Sequence, residues 1–241
     1  MNHPAENGAP SRGLFDSGLI ARFIGQSYQP VHSWMGITGS LFSQRILAIG
    51  KQAQHAVSFA RDGFKSDLSF YYVQIAPFTY KQNAAYLREQ QLQALSINKS
   101  GMVVTMDIGD LKDIHPKNKQ EVGCRLALQA LAKDYGKKVA CEGPRFKKMV
   151  VEDGKAILHF DHVDGGLTIY GGDVLKDFEI AGSDKKFVKA SATIVGDKLV
   201  VEAPELTRPL AVRYAFSSQA TGSLRNKDGL PASPFRSDDW K

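Results

Sequence analysis

The sequence has few cysteines: Cys124 and Cys141 are the two in 241 residues. They lie far apart and without the short spacing of a metal site, so neither a disulfide framework nor a zinc site is expected. Cys124 falls inside a helical pattern and is predicted to pack as a small apolar residue. No apolar run is long enough to span a bilayer, which argues against a membrane partner. The polar opening MNHPAENGAPSRG is not typical of a secretory signal.

The sequence also lacks the common cofactor and phosphate motifs. Walker A, GxGxxG, HExxH and GxSxG patterns are all missing. The HFDH segment at 159–162 lies in a strand pattern, where alternation places His159 and His162 on opposite faces. A metal site needs convergent ligands, so no metal and no cofactor is expected.

Concentrated charge of one sign is missing as well. The formal net charge is +6, but short basic groups such as KNK and KK are interspersed with acidic residues. A nucleic-acid surface would more often show a basic stripe with aromatic side chains, so no nucleic-acid partner is expected. With 43% hydrophobic and 23% charged residues, the chain has the composition of a globular protein that forms one large or two modest domains.

The first clear pattern is an alternation of strands and helices. FYYVQIAP at 70–77 and GMVVTMDIGD at 101–110 are short apolar runs typical of buried strands. The segments 82–96 and 119–136 predict helices, the second with an apolar side built from Leu126, Leu128 and Leu131. This βαβα order predicts parallel strands with helices on the faces of the sheet.

From about residue 143 the pattern changes to short strands with regular turns. Asp153-Gly154 and Gly196-Asp197 predict hairpins, and PLAVRYAF at 209–216 predicts a further strand. The loop-like end of the chain contains Phe235 and Trp240, which we expect to anchor it to a core. The predicted fold class is therefore α/β, with a partial parallel sheet followed by an antiparallel, β-sandwich-like module.

The segment DIHPKNKQ places His115 a few residues beyond the carboxyl end of the second predicted strand. Functional groups collect at this edge of parallel sheets. Pro116 restricts the backbone of the residue before it, which holds His115 extended. A rigid imidazole at this position suits a general base. The alternative is that His115 only closes the loop.

Acidic partners for His115 are available nearby. Asp113 and Asp110 are candidates to orient the imidazole, and both are equally suited to form turns or cap a helix. Asp107 is predicted to be structural or to lie behind the site. A nucleophile is harder to find: GQS at 25–27 offers Ser27, a match that a simple turn explains as well.

Several segments together resemble the sialate O-acetylesterase family of SGNH-type carbohydrate esterases. They are FYYVQIAPF, AAYLREQQ, the run from GMVVTMDIGD through DIHPKNKQEVG to the end of the helix, and GLPASPFRSDDW. The resemblance covers roughly residues 66–241. It implies a metal-free serine esterase that removes acetyl groups from sialic acid or related sugars, with His115 activating the serine. Members of the family are often exported, so the localisation stays open.

The sequence departs from the family pattern at two places. Where the family has an acid three residues before the histidine, this chain has Lys112, which leaves Asp113 as the substitute. GQSYQP replaces the GQSNM-like serine block, and no GESN is present. We therefore expect a carboxyl-terminal part of such an esterase: an unassigned segment 1–65, part of an SGNH-like domain at 66–142 and a β-rich module at 143–241. The alternative is a non-catalytic remnant or a carbohydrate-binding module.

Overall fold

The computed structural model describes residues 67–240, together with Ser58, Arg61 and Asp62. The predicted Ser27 and nearly all of segment 1–65 lie outside these residues. The described helices are α1 (Ala85–Gln93), continued by a 3₁₀ turn (Ala94–Ser96), and α2 (Lys119–Lys133). The strands are β1 (Phe70–Val73), β2 (Ser100–Val103), β3 (Arg145–Glu152), β4 (Lys155–Asp161), β5 (Leu167–Ile169), β6 (Phe178–Ala181), β7 (Val188–Lys189), β8 (Ser191–Val195), β9 (Lys198–Glu202), β10 (Ala211–Tyr214), β11 (Leu224–Asn226) and β12 (Phe235–Arg236).

The first half of the described chain, residues 67–142, contains a parallel strand pair with helices between and after the strands; the second, β-rich half begins at residue 143. β1 and β2 run parallel, with Phe70 opposite Ser100 and Val73 opposite Val103. Helix α2 packs so closely on β2 that a Cβ at Gly101 would overlap the side chain of Gln129. The predicted βαβα order and the mixture of helix and strand are thus present. Additional parallel strands of an SGNH-like sheet stay a prediction.

Helix α2 does not bury the side that its leucines predict. Its buried residues are Arg125 and Gln129, while Leu126, Leu128 and Leu131 are half-buried. The side-chain nitrogen of Gln129 donates hydrogen bonds to the carbonyls of Met102 and Cys141, which compensates for the burial of this nitrogen. The prediction that Cys124 packs inside was also wrong, because it lies on the exposed side of the helix.

The second half is antiparallel, as its turn pattern predicts. One sheet has the strand order β3-β4-β9-β8, a second has β12-β10-β6-β7, and β11 pairs with β5. Asp153 and Gly154, at the turn between β3 and β4, have φ angles of 47° and 77°. Positive φ at both central residues is the geometry of a type I′ hairpin turn, which matches the strand twist.

An aromatic cluster lies in the core of this β-rich half. The ring of Phe235 stacks on Phe146 and contacts Phe160 and Tyr214. Trp240 lies beside Phe187, and its carbonyl accepts a hydrogen bond from Arg236. Phe235 therefore anchors the end of the chain in the core as predicted, whereas the half-buried Trp240 contacts Phe187 outside this core.

Polar side chains join the two halves. The guanidinium of the buried Arg88 donates to the carbonyls of Ile75 and Ala76 near β1, and also to those of Ser217 and Ser218 after β10. A further pair links Arg236 of β12 to Glu89 of α1 through two hydrogen bonds of 2.8 and 3.1 Å. Buried polar groups need such partners, so each half supplies hydrogen bonds that the other requires.

Candidate active site

The loop that follows β2 is held against the loop that follows β1. A Cβ at Gly109 would come within 2.6 Å of Pro77, so only glycine allows this approach. The hydroxyl of Thr79 donates a hydrogen bond of 2.8 Å to the carbonyl of Leu111. These contacts lie just beyond the carboxyl ends of both parallel strands, where functional groups are expected.

His115 and Asp113 contact each other within this loop. The backbone amide of His115 donates to Asp113 Oδ1 at 2.9 Å, and His115 Nδ1 lies 3.5 Å from the same oxygen. The backbone hydrogen bond, with the nearby imidazole and Lys117, lowers the pKa of Asp113 below its usual value. The loop is therefore curved enough to bring Asp113 next to His115. The ionised carboxylate of Asp113 lies on the Nδ1 side of the imidazole ring.

The His115 imidazole is open to solvent, with 62% of its side chain exposed. Because Nδ1 faces Asp113, the other ring nitrogen is the one available to a reacting group. No serine hydroxyl forms a hydrogen bond with this imidazole within residues 67–240. The predicted nucleophile, Ser27, lies outside the described residues.

The other nearby side chains have local structural roles. Asp110 Oδ1 accepts a hydrogen bond of 2.8 Å from the amide of Lys112, which forms a turn. At the far end of the loop, the Asn118 side chain accepts from the amide of Glu121 at 3.1 Å and caps α2. Helix α2 thus begins three residues after Pro116.

Asp107 forms buried ion pairs with two arginines, which its position in the sequence does not indicate. Its side chain is fully buried and accepts two hydrogen bonds from Arg125, at 2.8 and 2.7 Å, and another from Arg225 of β11. Burial lowers the pKa of Arg125, but the hydrogen bonds and negative charges of Asp107 and Glu121 together outweigh this effect, so the pKa is raised. The arginines lie 18 and 118 residues further along the chain, beyond the range of any local sequence pattern.

A cavity of about 110 Å³ adjoins this carboxylate. Asp107, Tyr170, Lys176, Thr221 and Ser223 contribute to its lining. Among the residues that the structure describes, no group of three or more His, Cys, Asp or Glu side chains is arranged to hold a metal ion. In the same part of the chain, no helix is both long and apolar enough to cross a membrane.

The chain is similar to a solved structure, that of a carbohydrate acetylesterase from Xanthomonas citri. The two share 38% sequence identity with a TM-score of 0.74, over 79% of this chain and 46% of that one. The chain therefore spans about half the length of the structure it matches. No family model matches the chain, and no curated protein matches it. The similarity supports the resemblance to carbohydrate esterases in general.

Proposed function

We propose that this chain supplies part of a carbohydrate acetylesterase that hydrolyses O-acetyl groups on sugars. The observation that carries the proposal is the 38% identity to a carbohydrate acetylesterase over 79% of the chain. The contact between His115 and Asp113 on the loop after a parallel strand supports it. We further propose the sialate O-acetylesterase type of SGNH hydrolase, on the DIHPKNK and GLPASPFR segments.

In the proposed reaction, His115 acts as the general base. Its solvent-facing ring nitrogen accepts the proton of a serine hydroxyl as the serine oxygen attacks the acetyl carbonyl. The same proton then passes to the departing sugar oxygen, which leaves an acetyl-serine. His115 then takes a proton from a water molecule that attacks the acetyl-serine, and passes this proton to the serine oxygen as acetic acid is released. Asp113 orients the ring and stabilises the imidazolium that forms in each step. In this proposal the nucleophile is either Ser27 or a serine that this sequence does not contain.

A second candidate is a non-catalytic remnant or carbohydrate-binding module. The exposure of His115 favours it, together with the lack of a serine hydrogen-bonded to this ring within residues 67–240. The two candidates differ in a simple way. An esterase turns over acetylated substrate, whereas a binding module retains affinity for a sugar without hydrolysing it.

The test is hydrolysis of 4-nitrophenyl acetate, an O-acetylated sialic acid and an O-acetylated neutral sugar by the purified chain. We expect His115→Ala to reduce kcat by about 10²- to 10⁴-fold, the usual contribution of a general base. The matched control is His159→Ala, a half-buried histidine on β4, which should retain activity. Equal activity of His115→Ala and the unmodified chain would refute the assigned base. No turnover by the unmodified chain, with retained binding of a sugar in calorimetry, would favour the second candidate.

A further inference from the structure

A single arginine holds both ends of the loop that bears His115. Asp107 stands at the start of this loop, and Glu121 stands at its end, in the first turn of α2. Arg125 binds both: its Nε donates to Glu121 Oε1 at 2.9 Å, and its two Nη atoms donate to the Asp107 carboxylate. Arg125 Nη1 also donates to the carbonyl of Val104, at 2.7 Å. We call Asp107, Glu121, Arg125 and Arg225 the loop clasp.

The loop clasp is neutral, and all of its side chains except that of Glu121 are largely removed from water. Its two carboxylates and two guanidinium groups balance in formal charge. Asp107 is fully buried and only 4% of the Arg125 side chain is exposed, so solvent screens their interaction little. A lysine cannot reproduce the planar set of donors that reaches three separate groups, so the geometry is specific to arginine.

The fourth member of the clasp comes from the β-rich half. Arg225 of β11 contacts Asp107, and its guanidinium lies 3.4 Å from the ring centre of Tyr170. The stacked ring restricts where this guanidinium can lie. The base of the His115 loop is therefore fixed from two directions, by the helix that follows it and by a strand about a hundred residues away.

We infer that Arg125 is a positioning residue that sets the orientation of His115 by joining the two ends of its loop. The inference rests on the proposed function, because it assigns Arg125 a part in presenting the general base. A catalytic group acts only within hydrogen-bond distance of its partner, and a misplacement of about 1 Å can reduce the rate by about 10²-fold. Arg125 itself does not contact the reacting atoms.

The test compares Arg125→Lys with Arg213→Lys. Arg213 forms a similar two-bond pair with a buried carboxylate, that of Asp238, but it lies on β10 and takes no part in the clasp. Both substitutions weaken one buried pair, so both should reduce stability. Only Arg125→Lys should accelerate amide hydrogen exchange in residues 108–118, by about tenfold, and shift the imidazole NMR signals of His115.

Kinetics provide the second comparison. With 4-nitrophenyl acetate, Arg125→Lys should lower kcat by about 10- to 100-fold at nearly unchanged KM, whereas Arg213→Lys should leave both close to the original values. If Arg125→Lys fails to fold, Glu121→Ala replaces it, because a glutamine would retain an oxygen that accepts the hydrogen bond from Arg125 Nε. This change opens only the outer end of the clasp, where 41% of the Glu121 side chain is exposed.

The outcomes separate the two proposals. Equal exchange rates in residues 108–118 and unchanged His115 signals in the clasp and control variants would overturn the positioning role, whatever the enzymatic activity. Faster exchange and shifted signals in a chain without esterase activity would support the loop clasp and count against the proposed function. Faster exchange with a selective loss of kcat would support both.

Discussion

Replacing Phe235 with alanine should strongly destabilise the β-rich half. The ring lies parallel to Phe146, at 4.6 Å between centroids and an interplanar angle of 4°. Its centroid is also 5.6 Å from that of Phe160 and 5.5 Å from that of Tyr214. Phe235 is buried and belongs to the main hydrophobic core. The substitution therefore removes one partner from three aromatic pairs and leaves a cavity.

The expected magnitude follows from this geometry. Truncating a buried phenylalanine to alanine costs about 3–5 kcal/mol of unfolding free energy, from lost burial and the cavity left behind. Aromatic pairs contribute about 0.5–1.5 kcal/mol each beyond area burial, so three pairs place Phe235 toward the upper end of that range. In a domain of this size each kcal/mol changes Tm by about 2–4 °C, which gives a decrease of about 6–20 °C.

Thermal unfolding followed by circular dichroism measures this effect. The matched control is Tyr135→Ala, which replaces an aromatic residue just after α2 that is 69% exposed. It should change the free energy of unfolding by no more than about 0.5 kcal/mol. Equal Tm values for the two variants would refute the conclusion that the end of the chain is anchored in this core.

Two other predictions concern pH and thiol reactivity. Burial raises the pKa of Glu142, but a hydrogen bond from Lys133 and neighbouring positive charges together outweigh this effect, so the pKa lies below its usual value. The resulting stabilisation is present above the unfolded-state pKa and is lost as pH falls through the lower folded-state value. Urea denaturation should therefore show Glu142→Gln less stable at neutral pH, with the difference shrinking under acid conditions; a pH-independent difference would contradict this. Cys124 is exposed, whereas burial raises the pKa of the Cys141 thiol, so Cys124 should react faster with a disulfide reagent in the native chain, and equal rates would argue against the placement of both thiols.

The sequence predicts structure best where the determinants are local. A few neighbouring residues determine each of three features: the Asp153-Gly154 turn, the antiparallel pairing of β3 with β4, and the start of α2 after Asn118. Helix α2 itself was predicted, but its buried side was not. An analysis of hydrophobic periodicity places leucine on the buried side of a helix and arginine on the exposed side. It does not account for the buried carboxylate of Asp107, on another segment, that allows Arg125 to be buried.

The candidate site divides in the same way. Asp113 and His115 are two residues apart, so a curled loop suffices to join them, and the contact between them depends on local geometry. Asp107 was predicted to be structural or to lie behind the site, without named partners. One of its partners, Arg225, comes from a strand of the β-rich half, and only the three-dimensional fold brings it to the loop. The catalytic roles of His115 and Asp113 stay predictions that the proposed assays test.

The hydrogen bonds of Arg88 have a consequence for how the protein emerges from the ribosome. Helix α1 is synthesised well before residues 217 and 218, whose carbonyls accept two of the bonds from this guanidinium. The neighbouring residue, Glu89, likewise has its ion pair with Arg236 only after Arg236 has been synthesised. During synthesis, the charges of Arg88 and Glu89 on helix α1 therefore lack partners that only later segments of the chain supply. Completion of the first half is thus coupled to translation of the second, and folding in vivo should finish only after β12 has left the exit tunnel.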